Sequence, residues 1–236
     1  MARTSSPPRV TPRRPVPQAL APLSLSRPDR ARVHMLASLL LDYPDATWFD
    51  RLAQLRAPID GLPAAVGELF RSFVHAAETS GPEAWQRAYV ATFDLKRKCS
   101  LYLTYYATGD TRRRGTALVS FLDAYRAAGW EFDAAELPDY LPAVLEFSAR
   151  SDSPIAREIL SAHREGVEVL RFALESMDSP WAGLIRAVSL SLPAIDDRTR
   201  ERYLTLINAG PPAEMVGLSF LGNLAPFSPR ASREGT

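Results

Sequence analysis

Residues 85–115, WQRAYVATFDLKRKCSLYLTYYATGDTRRRG, set two aromatic-rich segments around one basic loop. Trp85, Tyr89 and Phe93 fall four residues apart, the spacing that stacks side chains on one face of an α-helix. Beyond the loop, Tyr102, Tyr105 and Tyr106 repeat that spacing. From Asp94 to Arg114, six cations (Lys96, Arg97, Lys98, Arg112, Arg113 and Arg114) stand against two anions, Asp94 and Asp110. Aromatics beside uncompensated arginines suit a binding surface. For each aromatic taken singly, a core stripe beside a solvated loop is the competing fate.

Outward from this stretch the pattern stays helical. Val33, Leu36, Ala37 and Leu40 give a face that ends before Pro44, and Asp45 can cap a second helix carrying Trp48, Leu52 and Leu55. Pro63 opens a third helix with Val66, Leu69, Phe70, Phe73 and Val74 inward, and Pro82 opens the helix of the central stretch. Downstream, Asp110 is placed to cap a helix bearing Leu118, Phe121, Leu122 and Tyr125, closed by Gly129 in the left-handed conformation. Ser153 and Pro154 start what reads as the longest helix, through Ile155, Ile159, Val167, Leu170 and Leu174. Ser179 and Pro180 start another, and Asp196 or Asp197 a short one with Tyr203, Leu204 and Ile207. Alternation of period two and internal repeats are both absent from the pattern, so the expected fold is all-α: a single compact bundle of about nine or ten helices.

The ends read differently. Residues 1–28 are rich in Arg and Pro and contain no acid, which predicts a disordered leader. The bundle is expected over 29–210. Residues 211–236 form a tail in which Val216, Phe220 and Leu224 make one short apolar helical face, suited to docking on the body or over a groove. Both extensions are expected to be flexible.

The 236 residues are 46% hydrophobic and 23% charged, enough to bury a large core, and the net charge of +1 gives no whole-molecule field for nucleic acid or anionic lipid. One cysteine, Cys99, rules out an intramolecular disulfide. Its neighbour Lys98 could depress the thiol pKa, although a chemically idle position is the simpler reading. His34, His75 and His163 lie on separate helices without metal-ligand spacing. No apolar run reaches the roughly 18 residues of a membrane span, and Pro15, Pro17 and Pro22 interrupt any signal-peptide core. A cytoplasmic protein without integral membrane association is expected. Phosphate-binding, dinucleotide-binding and nucleophile-elbow motifs are missing, so no catalytic site is expected. From Gly129 to Ala149 there are five acids and no Lys or Arg. Asp139 and Glu146, two helical turns apart, lie in this segment.

Three words of this sequence carry a resemblance: MLASLLLDYPD at 35–45, YVATFDLKRKCSLYLTYYATGDTRRRG at 89–115 and ELPDYLPAVLEF at 136–147. In that order they resemble the nitrate reductase delta subunit (NarJ) family, within the wider group of all-helical maturation chaperones for molybdenum enzymes that includes TorD and DmsD. The likeness covers roughly residues 30–210. It departs at Tyr140, where many relatives have His, so no imidazole role carries over.

The resemblance implies a cytoplasmic, non-catalytic chaperone. Such a protein binds the N-terminal segment of the catalytic alpha subunit of respiratory nitrate reductase, keeps the apoenzyme competent for molybdenum cofactor insertion, and leaves the finished membrane complex. No cofactor is expected to be held stably. The expected client groove comprises Tyr89, Phe93, Tyr102, Tyr105, Tyr106 and Phe121, with Asp139, Tyr140 and Glu146 on its acidic side. The alternative from another class is a helical nucleic-acid adaptor using the leader arginines and Arg112–Arg114 on phosphates. Nucleic acid is not the expected partner, because no recognition motif accompanies those cations.

Overall fold

The computed structural model describes residues 20–132 and 135–194, together with residues 196, 198 and 201. Ten α-helices are present among them, in the order α1 (Arg27–Leu41), α2 (Ala46–Asp60), α3 (Ala64–Ser80), α4 (Pro82–Tyr89), α5 (Leu103–Thr108), α6 (Arg113–Ala127), α7 (Leu141–Arg150), α8 (Pro154–Ala162), α9 (Arg164–Glu175) and α10 (Ala182–Ser191). The expected all-α class is what the chain adopts. One isolated antiparallel bridge, Tyr102 to Tyr140, is the extended pairing among the described residues.

The caps follow the sequence in several places. Asp45 accepts from the Trp48 N–H at 2.8 Å and starts α2, and the Ser153 hydroxyl accepts from the Ile155 N–H to start α8. Gly129 takes φ +78° after α6, the left-handed conformation a glycine tolerates. Asp110 does not cap α6. Its carboxylate instead pairs with Arg97 at 3.3 Å and Arg114 at 3.5 Å, and α6 begins at Arg113 without a side-chain cap.

The helix expected to run on from Pro154 is broken at His163 (φ −103°, ψ 18°), so the longest helix among the described residues is α3. The His163 ring lies 4.8 Å from the Phe121 ring, and its Nδ1 meets the Ile159 carbonyl at 2.9 Å. After the break, Gly166 faces Tyr106 so closely that an added Cβ would lie 2.7 Å from the Tyr106 ring. Only a residue without a side chain admits that contact.

At the centre of the bundle, α1 lies along α7 and α10, and α10 also packs on α3 and α9. Trp181, at the start of α10, is the hub of the aromatic core. Its ring lies 4.6 Å from Trp85, 5.4 Å from Phe93, 5.9 Å from Tyr89 and 6.1 Å from Phe73. The face formed by Trp85, Tyr89 and Phe93 therefore turns inward, with the backbone passing from α4 into a π-helical turn at Val90–Asp94.

The leader expected to be disordered through residue 28 ends earlier. The Leu23 N–H donates to the Leu190 carbonyl at 2.8 Å, Leu23 and Leu25 pack against the core, and Ser26 caps α1. Two leucines among prolines give little compositional signal, yet a seat beside α10 orders them. The remainder of the leader (1–19), the short helix expected near 196–207 and the tail 211–236 lie outside the described residues, isolated positions excepted.

One polar contact ties three helices together. His34 on α1 is buried, its Nδ1 meeting the Ser148 hydroxyl of α7 at 3.0 Å and its Nε2 the Ser191 hydroxyl of α10 at 2.8 Å. Burial, with Arg30 nearby, holds its pKa down to about 3. The folded chain therefore keeps this ring neutral where the unfolded chain, with a pKa of about 6.5, takes up a proton. Its contribution is fully present above that pH and is lost as pH falls toward 3, with a slope approaching about 1.4 kcal/mol per pH unit. Urea unfolding at pH 7.5 and 5.5 should show a larger drop in midpoint for the wild type than for His34→Gln. Equal drops would show that His34 does not set the acid sensitivity.

Candidate functional site

Two of the sequence words meet as one structure. The loop before α5 and the loop before α7 are clipped by two main-chain bonds, Leu103 N–H to Asp139 O at 3.0 Å and Leu141 N–H to Leu101 O at 2.7 Å. Asp139 is fully buried, and its Oδ2 accepts from both the Thr104 N–H at 3.0 Å and the Thr104 hydroxyl at 2.6 Å. Its charge thus serves the first turn of α5, where unsatisfied N–H groups favour an anion. Tyr125 donates to Pro138 O at 2.9 Å, and Tyr106 donates to Ser100 O at 2.7 Å. Pro138, Asp139 and Tyr140 each have a structural partner across this junction.

These contacts divide the residues expected to line a groove. Tyr89, Phe93, Tyr105, Tyr106 and Phe121 are buried, each no more than 8% exposed. Asp139 is interior too, so it cannot form the acidic rim expected of it. Apolar burial explains the aromatic placements: each ring removes a large area from water by packing inward. Glu146 is exposed, but its carboxylate faces along α7 to Arg150 at 2.6 Å, on a separate stretch from the loop junction.

Tyr102 and Tyr140 do reach the surface, half-buried and with ring centroids 5.6 Å apart. Around them lie residues the sequence had not marked as groove positions. Tyr43, 46% exposed, sets its edge against Tyr89 at 5.5 Å, and the Tyr89 hydroxyl lies 3.4 Å from that of Tyr140. Tyr102 donates to Glu136 at 2.9 Å while the Arg114 guanidinium sits over its ring at 5.3 Å. Leu137 beside Glu136 and Leu95 beside Asp94 are both exposed. The Tyr140 phenol is pushed up to about 12 by burial, with Asp42, Glu136 and Asp94 adding to the rise and the Tyr89 hydroxyl opposing it. The result is a tyrosine surface with acids at its margin. A signal existed for Tyr43 in the word LLLDYPD, where a tyrosine follows the end of an apolar helix.

Chemically reactive groups are muted. Burial raises the Cys99 thiol to about 11 and outweighs the opposing pull of Lys96, so it stays protonated at neutral pH. Among the described residues no group of three His, Cys, Asp or Glu side chains could hold a metal ion, and no helix is long and apolar enough to cross a membrane.

The family model described as nitrate reductase delta subunit matches residues 59–187, more than half of the chain and both clipped loops. The chain belongs to the nitrate reductase delta subunit family. Among similar proteins, NarJ of Bacillus subtilis, named as a nitrate reductase molybdenum cofactor assembly chaperone, is 33% identical over 171 residues, covering 72% of this chain and 93% of its own. The nitrate reductase-like protein NarX of Mycobacterium tuberculosis is 38% identical over 156 residues, 66% of this chain. The aligned part is 24% of NarX, so the chain spans about a quarter of that relative. A solved structure from Archaeoglobus fulgidus, of a candidate redox enzyme maturation protein, shares the fold with a TM-score of 0.51 at 22% identity, covering 67% of this chain and 91% of its own.

Proposed function

We propose that this chain is a non-catalytic, cytoplasmic chaperone that binds the N-terminal segment of the catalytic alpha subunit of nitrate reductase. It holds that apoprotein competent for molybdenum cofactor insertion and leaves the assembled membrane complex. The cofactor is cargo for the client, with no resident site on the chaperone. The observation that carries this reading is the family match over 59–187, whose span contains both loops of the clipped junction. The tyrosine surface gives it a mechanism. Half-exposed Tyr102 and Tyr140 and exposed Tyr43 offer apolar area with hydroxyl tips, and Asp42, Asp94 and Glu136 favour a client segment whose polar face is cationic.

Nucleic-acid binding by the Arg112–Arg114 run has weaker support. Asp110 answers both Arg97 and Arg114, and Arg114 is spent over the Tyr102 ring.

The test is titration of the full chain with a peptide of the alpha subunit's first residues. Tyr43→Ala and Tyr140→Ala are each expected to weaken binding about 5- to 30-fold without loss of fold, the range of a rim-to-centre aromatic contact. Phe121→Ala should instead lower the melting temperature and leave the affinity of the folded fraction unchanged. Unchanged affinity in both tyrosine variants would move the client site elsewhere.

A further inference from the structure

At the end of α1 away from Tyr43, the start of α1, the end of α7 and the start of α8 line a cleft of about 280 Å³. Arg27 and Arg30 line it from α1 and Arg157 from α8, with Ser151, Asp152 and Ser153 between them. Most arginines of this fold meet a carboxylate: Arg32, Arg56, Arg71, Arg87, Arg126, Arg150 and Arg186 all lie within 4 Å of one. Arg30 and Arg157 have none so close among the described residues. Among the residues lining the cleft Asp152 is the one acid, and it pairs with Arg27 through side chains 63% and 83% exposed. Such an exposed pair is weak and easily exchanged.

The cations also feel one another. The Arg30 guanidinium is held below the ordinary arginine range by partial burial and then by Arg157 and Arg27 beside it. Bringing like charges together costs free energy that an anion between them would remove. The serines are oriented to help. The Ser151 oxygen accepts from the Ser153 N–H at 3.1 Å, and the Ser153 oxygen accepts from the Ile155 N–H at 3.3 Å, bonds that leave each hydroxyl proton to donate. The positive end of the α8 dipole adds to the field, while the C-terminal end of α7 opposes it.

We propose that this cleft is an anion site whose ligand is a small molecule bearing a phosphate or diphosphate group, gripped by Arg27 and Arg30 on one wall and Arg157 on the other. Guanidinium forks match phosphate oxygens, and the volume suits a group of that size. This assignment stands independently of the client reading.

The probe is inorganic pyrophosphate, titrated calorimetrically into the full chain at fixed ionic strength, with vesicles containing phosphatidic acid as a second arm. Saturable binding of one pyrophosphate is expected. The double substitution Arg30→Ser with Arg157→Ser should weaken it about a hundredfold, the loss of two charge-assisted contacts. Asp152→Asn, which releases Arg27, should tighten it several-fold and decides the question if the double variant fails to fold. Absence of saturable binding, unchanged affinity in the double variant, or no tightening in Asp152→Asn would overturn the site. Binding to vesicles without binding to pyrophosphate would overturn the assignment of a small-molecule ligand.

Discussion

Glu168→Ala is expected to lower stability by about 3–5 kcal/mol, the cost of leaving buried charge without its counter-ion. Glu168 is fully buried in α9, between Arg171, whose Nε donates to it at 2.8 Å, and Arg164, at 3.0 Å in an ion pair outside hydrogen-bond geometry. Arg171 continues the chain to Glu175 at 2.6 Å, and Arg186 reaches Glu175 at 3.4 Å. Burial alone would loosen the Arg171 proton, but Glu168 and Glu175 outweigh it and raise its pKa. Losing Glu168 removes the buried carboxylate that Arg164 and Arg171, each 3% exposed, share. A fall in melting temperature of about 6–20 °C follows for a domain of this size. Replacing Arg164 by Met and Glu168 by Leu together should recover most of that loss, because two charges of opposite sign leave the interior together and Arg171 keeps Glu175. A Glu168→Ala protein that melts within two degrees of wild type would contradict this account of α9.

Asp139→Ala is expected to cost about 2–4 kcal/mol, since it removes two charge-assisted bonds and leaves the Thr104 N–H and hydroxyl buried without an acceptor. Asp139→Asn should cost less, because an amide oxygen can accept from the same two donors. Both losses should be nearly independent of salt, as the contacts are interior. Urea midpoints at low and high ionic strength measure this directly. Should Asp139→Ala keep wild-type stability and lose client affinity chiefly at low salt, the carboxylate would be the exposed rim charge that the sequence pattern suggested.

The contrast between those outcomes shows where sequence periodicity stops being informative. Spacing identified Trp85, Tyr89 and Phe93 as one helical face, and it does not carry the location of Trp181, 96 residues beyond Trp85, which decides that the face points inward. Likewise the proximity of PDY to LYLTYY is a tertiary fact, set by main-chain bonds between loops that no local pattern encodes. Helix starts were legible where a short polar side chain turns back to the backbone of its own first turn, as at Asp45 and Ser153. Asp110 failed as a cap because two arginines claim its carboxylate. The break at His163 was hidden because the apolar period continues across it, and the close approach of Tyr106 to Gly166 just beyond it is a tertiary contact that no local pattern carries. The tyrosine surface shows both sides of this divide: Tyr43, Tyr102 and Tyr140 all stood in recognisable words, whereas their meeting rests on contacts between distant segments, Tyr43 with Tyr89 and Tyr102 with Tyr140.

Hydrogen exchange of the full chain with and without the alpha-subunit N-terminal peptide tests the central claim most directly. Client binding at the tyrosine surface predicts slower exchange in three segments, 42–45, 94–102 and 136–140, with the interior of α9 unchanged. No protection by a peptide at saturating concentration, or protection confined to other faces such as the cleft between α1 and α8, would contradict the claim.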